Sequence, residues 1–156
     1  MLLYLLRHAE AVDKAESDAA RALTKKGVSQ AHKVGKFCIK NNFTPAIILT
    51  SPLKRAEQTA RIVAKEIKNA EFIVNPMLSA GMQPETALDE LKTYARFPSL
   101  MLVGHEPDFS LLAASLLGIP LSESLRLRKA SLTAMELSAL RPGAAVLIFT
   151  LPPKLM

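Results

Sequence analysis

Three short apolar runs, each stopping abruptly on polar side chains, frame this chain. Leu2-Leu3-Tyr4-Leu5-Leu6 stops on Arg7-His8. Ala46-Ile47-Ile48-Leu49-Thr50 leads into Ser51-Pro52-Leu53-Lys54-Arg55. Ser99-Leu100-Met101-Leu102-Val103 stops on Gly104-His105-Glu106-Pro107-Asp108. Unbroken apolar runs of this length predict strands buried on both faces. The segments between them follow helical spacing. Val28, Ala31, Val34, Phe37 and Cys38 predict a helix capped by Thr24 and closed by Asn41-Asn42 and Pro45. Ala56, Thr59, Ala60, Val63, Ala64 and Ile67 predict the inner face of a second helix, with Ser51 as its cap and Pro52 at its first position. Glu71–Val74 reads as a short strand, Met77 to Gln83 as a loop, and Pro84 to Tyr94 as a helix with Leu88 and Leu91 inward. Phe109 to Leu117 reads as an apolar helix ended by Gly118 and Pro120. Leu121 to Lys129 is a connection, and the runs Ala130–Leu137 and Ala144–Leu151, around Arg141-Pro142-Gly143, predict a β-hairpin. The tail Pro152-Pro153-Lys154 is expected to fray.

Strands alternating with helices imply right-handed βαβ crossovers. The expected fold class is therefore α/β: a three-layer α/β/α sandwich with a mostly parallel central sheet and a C-terminal antiparallel hairpin. No repeat or internal boundary divides the 156 residues, so residues 1–156 are expected to form a single domain.

Charge narrows the ligand classes. The net charge of +6 favours anions, but the basic residues are dispersed: Lys25-Lys26 and Lys54-Arg55 are pairs, and no long basic block appears. No basic block interleaved with aromatic residues speaks for nucleic acid. Cys38 is the single cysteine, read as a small apolar helix residue, so no intrachain disulfide can form. The first apolar run lacks a basic leader and a cleavage site, and no run approaches the ~18 residues of a membrane span. The expectation is a cytoplasmic protein that does not act at a membrane.

The candidate chemistry lies where the strands end. In α/β sheets the C-terminal strand edge holds the ligand, and the three runs deliver Arg7, His8, Arg55 and His105 to that kind of position. Arg7 is a permanently charged planar fork suited to oxyanions. His8 can act as a nucleophile near neutral pH. Arg55 falls in the first turn of its helix, where a cation is unfavourable unless an anion is near, so a bound phosphate explains it better than folding does. The long loop from Ala11 to Thr24 offers Asp18, Arg21 and Thr24 as further polar candidates, each expected to be solvated. His32 lies off the apolar stripe of its helix and is assigned no role. Two arginines and two histidines without a cysteine or a trio of ligands disfavour a metal site, and no cofactor is expected. The chemistry that fits is phosphoryl transfer to a neutral imidazole, with arginines and a second histidine on the phosphoryl oxygens.

Three motifs then carry a resemblance. Leu6-Arg7-His8-Ala9-Glu10-Ala11, Ser51-Pro52-Leu53-Lys54-Arg55-Ala56-Glu57-Gln58-Thr59-Ala60 and Val103-Gly104-His105-Glu106-Pro107 occur in this order over nearly the whole chain. Together they resemble the histidine phosphatase superfamily, whose fold is phosphoglycerate mutase-like. The short length and Leu23-Thr24-Lys25-Lys26-Gly27 look like its SixA-type phosphohistidine phosphatase branch. The resemblance implies that His8 becomes phosphorylated and that Arg7, Arg55 and His105 form the phosphate pocket. It also implies Arg21 as an additional phosphate contact.

The implied partner is a phosphohistidine-bearing protein such as a phosphotransfer domain, and the small size implies an open pocket. Alternatives are a phosphatase for small phosphate esters and a non-catalytic module that binds phosphorylated ligands. Two departures stand out. Ala9 occupies a position where relatives often have Gly, tolerable if its φ is negative. The loop Met77 to Gln83 offers no carboxylate to protonate a leaving group. Glu10, Asp18, Glu57, Glu85, Glu106 and Asp108 are the remaining candidates, and phosphohistidine is a substrate that needs little such help.

Overall fold

The computed structural model describes all residues except Asn69 and 121–124. One six-stranded sheet runs through the molecule. Its strands are β1 (Leu2–Arg7), β2 (Ile47–Thr50), β3 (Glu71–Val74), β4 (Ser99–Gly104), β5 (Leu132–Leu137) and β6 (Ala145–Leu151), in the order β3-β2-β4-β1-β5-β6. The β3–β2, β2–β4 and β4–β1 pairs are parallel; β1–β5 and β5–β6 are antiparallel. The predicted hairpin is β5–β6, with a bulge between Ala134 and Met135.

Alternation along each strand sorts the core into two layers. Leu3, Leu5, Ile47, Leu49, Leu100 and Leu102 face one side. There they meet helices α3 (Pro84–Leu91) and α4 (Asp108–Leu117) through Leu88, Leu91, Phe109, Leu112 and Leu116. Tyr4, Leu6, Ile48, Met101 and Val103 face the other side, against α1 (Lys25–Lys40) and α2 (Lys54–Glu66) through Ala31, Val34, Cys38, Ala56, Ala60 and Val63. Strands covered on both faces explain the unbroken apolar runs. Cys38 is fully buried within this second layer.

Helix boundaries follow local chemistry. Thr24 caps α1 by accepting from the Gly27 amide at 3.0 Å. Asn42, at φ 59°, takes the left-handed conformation that ends this helix. α4 ends the same way on Gly118 at φ 69°. The expected start of α2 is corrected: the helix begins at Lys54 with Leu53 as its cap residue, not at Pro52 with Ser51 capping. The Ser51 hydroxyl accepts from the Leu53 amide at 3.2 Å but also meets His105, so it is held by the site as well as by the turn. Pro84 to Tyr94 divides into α3 and a 3-10 turn at Lys92–Tyr94. Of the connection Leu121–Lys129, residues 121–124 lie outside the described residues. No described helix is long and apolar enough to cross a membrane.

Candidate active site

β1, β2 and β4 are neighbours and run in parallel, so their C-terminal ends share one edge of the sheet. The register pairs Arg7 with Gly104 and Thr50 with Val103. His8, Ser51 and His105 each follow directly on a strand end, and Arg55 comes from the first turn of α2. Gly104 allows a close fit here. A Cβ built on it would lie 2.7 Å from Cζ of Phe109, so Phe109 can seal the base of the β4–α4 turn only against a glycine. His8, Arg55 and His105 are 7, 5 and 3% exposed, so the chemistry is held in the wall of the fold.

The His8 and His105 rings lie 5.3 Å apart between centroids. His8 Nδ1 is 2.8 Å from the carbonyl oxygen of Ala9. A carbonyl only accepts, so Nδ1 carries the proton and Nε2 is left with its lone pair. Burial pushes the His8 imidazole down to about 3, against the hydrogen bond to Ala9, and neighbouring His105, Arg55 and Arg7 push the same way as burial. Burial, with Arg55 and Arg7, pushes His105 down to about 4. Both rings are neutral at physiological pH. Ala9 is absent from the left-handed backbone positions, so its methyl is accommodated as expected. Its amide donates to Thr59 Oγ1 at 3.0 Å, and Thr59 in turn donates to the Arg55 carbonyl at 2.7 Å. One hydroxyl thus ties the end of β1 to the first turn of α2.

Each arginine is held by part of its guanidinium. Arg7 Nη1 donates to the Leu127 carbonyl at 2.8 Å. Arg55 Nη1 donates to the Asp18 carbonyl at 2.8 Å and Nη2 to the Asp18 carboxylate at 3.0 Å. Asp18 also receives Arg21 Nη1 at 3.0 Å, while Arg21 Nε donates to the Val12 carbonyl at 2.7 Å. These two arginines hold the Asp18 carboxyl below the usual carboxylate range. Two sequence expectations change here. Asp18 is exposed, but it is not merely solvated. The unfavourable charge of Arg55 in the first helical turn is also met from within the chain, by an aspartate thirty-seven positions earlier. The loop closes on itself through an antiparallel bridge between Ala11 and Leu23, and its tip is fixed where the Lys54 amide donates to Ala19.

Four buried side-chain polar atoms among the described residues have no hydrogen-bond partner: Arg7 Nε, Arg55 Nε, His105 Nδ1 and Ser131 Oγ. Three of the four belong to the residues that the sequence assigns to a phosphate pocket. His105 Nε2 is occupied by Ser51 Oγ at 2.8 Å, so its open position is Nδ1. Unpartnered buried nitrogens are costly, and a tetrahedral oxyanion is the ligand that would satisfy several at once.

The chain belongs to the histidine phosphatase superfamily, branch 1. That family matches residues 3–80. An uncharacterized protein of Picosynechococcus sp. is 34% identical over 149 residues, 90% of this chain and 88% of that protein. Among solved structures, the protein histidine phosphatase SixA complexed with tungstate aligns with TM-score 0.87 and 22% identity, over 99% of this chain and 98% of that one. The α-ribazole phosphatase from Shigella flexneri aligns with TM-score 0.75 and 22% identity, over 94% of both chains. At such identities the structures establish the shared phosphoglycerate mutase-like fold.

Within this histidine phosphatase, the carboxylates near the site are mostly engaged elsewhere. Glu10 accepts from Thr24 and Lys26, Glu57 pairs with Arg61, and Asp108 accepts from the Gly81 and Met82 amides. Glu106 is different. Burial raises its pKa, and it accepts from Ser110 Oγ at 2.7 Å and the Leu127 amide at 3.2 Å. It thereby grips the amide of Leu127, the residue whose carbonyl holds Arg7, a role that its neighbour His105 hid in the sequence. His32 pairs with Glu66 at 2.7 Å, far in sequence from the strand ends. Among the described residues no group of three His, Cys, Asp or Glu could hold a metal ion.

Proposed function

We propose that this chain is a phosphatase that works through a phosphohistidine intermediate on His8 and removes phosphate from phosphohistidine on a partner protein. The observation that carries the reading is the set of unpartnered buried nitrogens on Arg7, Arg55 and His105 around a neutral His8. His8 Nε2 attacks phosphorus in line, and the bond from phosphorus to the substrate's imidazole nitrogen breaks. The substrate ring leaves neutral, its other nitrogen already carrying a proton. Arg7, Arg55 and His105 hold the equatorial oxygens while charge redistributes. Water then attacks the phosphorus on His8, releasing inorganic phosphate and restoring the free imidazole.

Phosphohistidine is favoured over an ester because Glu10, Asp18 and Asp108 are tied to hydroxyl, arginine and amide donors, and Glu106, though burial raises its pKa, is turned to Ser110 and the Leu127 amide. The test is phosphate release from a phosphohistidine peptide, a phosphoserine peptide and a sugar phosphate by the wild type and by His8→Ala. The expected result is turnover confined largely to phosphohistidine and abolished in the variant, with an acid-labile phosphoenzyme trapped only in the wild type. Faster turnover of the esters would instead favour a small-molecule phosphatase. Binding without release from any of them would make the chain a phospho-ligand binding module.

A further inference from the structure

We propose that the segment Arg126–Lys129 is a docking strap for the acidic surface of the phosphorylated partner, beside the phosphate pocket. The inference rests on the protein-phosphatase reading above and extends it to the partner's chemistry. The strap is fixed to the reactive residues from below. The Leu127 carbonyl accepts from Arg7, the Leu127 amide donates to Glu106, and the Ala130 amide lies 3.1 Å from the carbonyl oxygens of both Arg7 and His8. Ala130 holds this position at φ 56°, a conformation that alanine seldom adopts, so the strap's path is imposed by the site.

Side chains alternate along it. Leu127 and Ala130 are 2 and 0% exposed, whereas Arg126 and Arg128 are exposed. The anchors therefore point in and the two guanidinium groups point out. Arg126 is near enough to Arg7 to disfavour its charge, and Lys129 acts on Glu10, which Lys26 already contacts at 2.8 Å. The half-buried Glu106, bonded to the Leu127 amide, and Glu10, on which Lys129 acts, are the carboxylates beside the strap. Arg126 and Arg128 thus set two exposed cations beside the half-buried Arg7. A phosphohistidine presented from an acidic surface would meet Arg7 and Arg55 with its phosphate and the strap with its flanking carboxylates.

The test uses the full chain, the double variant Arg126→Glu/Arg128→Glu and its glutamine counterpart. Each is assayed on phosphoramidate and on two phosphohistidine peptides of equal length, one acidic and one neutral. Binding of both peptides is measured separately in the His8→Ala background. The expected wild-type preference for the acidic peptide is roughly tenfold at low salt and fades as salt screens it. The glutamine variant should lose that preference and the glutamate variant reverse it, with phosphoramidate turnover changed by less than about twofold. An equal affinity of the wild type for both peptides, or a preference that survives both variants, overturns the strap. Absence of turnover with the binding preference intact overturns the phosphatase reading and leaves the strap standing.

Discussion

His8 and His105 stay neutral because burial, before any neighbouring charge, penalises protonation there. That has a consequence for stability. Unfolded, each ring titrates near 6.5; folded, they titrate at about 3 and about 4. Between those limits the unfolded chain binds more protons than the folded one, so stability falls as pH drops below 6.5. The urea midpoint should decline from about pH 7 to about pH 5, and His8→Asn should flatten that decline. Asp18 offers a second test at the same scale. Its carboxylate joins Arg55 to Arg21, so Asp18→Ala should lower kcat/KM by about tenfold, the equivalent of ~1.4 kcal/mol for one weakened charged contact. Both variants keep the backbone carbonyl; Asp18→Asn also keeps one of the two side-chain oxygen acceptors and should recover part of the loss. Asp18 was among the loop candidates in the sequence, but the partner that gives it meaning was not legible. Nothing in local pattern ties an acid in a loop to an arginine in a helix beyond the next strand.

Elements dock here by backbone as much as by side chain. A Cβ on Gly27 would lie 2.0 Å from the carbonyl oxygen of Glu10, so the first turn of α1 rests directly on the chain leaving β1. Gly27→Ala must displace one or the other and should cost roughly 1–3 kcal/mol, read as a lowered Tm. Thr59 makes the corresponding link between β1 and α2. Thr59→Val keeps the volume but leaves the buried Ala9 amide without its acceptor. It should cost about 1–3 kcal/mol in stability, and kcat should fall as Arg55 and His8 lose their common tether. The strands and helices themselves were legible, since doubly buried runs and 3.6-residue spacing are local signals. The start of α2 was not. Ser51-Pro52 carries a good capping signal, but His105 claims the serine hydroxyl, and the helix starts three residues after it.

At the scale of the molecule, the sheet order brings together residues from three remote parts of the chain. Arg7, Arg55 and His105 could be picked out because each closes an apolar run or opens the helix after one. Their convergence followed from parallel strands sharing an edge. The supports that orient them were invisible for the opposite reason: Leu127 acts through its backbone, and Glu106 reads in sequence as one more polar residue beside a histidine. Three of the buried nitrogens at this junction remain without partners inside the protein, so occupancy of the proposed pocket would be coupled to the free energy of the entire fold. An oxyanion that binds only the native arrangement stabilises it by mass action, by about 2.7 kcal/mol at a hundred times its Kd. Tm should therefore climb with the logarithm of inorganic phosphate or tungstate concentration in the wild type and stay flat in Arg55→Ala. Substrate-level phosphate would then act on this protein as a folding ligand as well as a product.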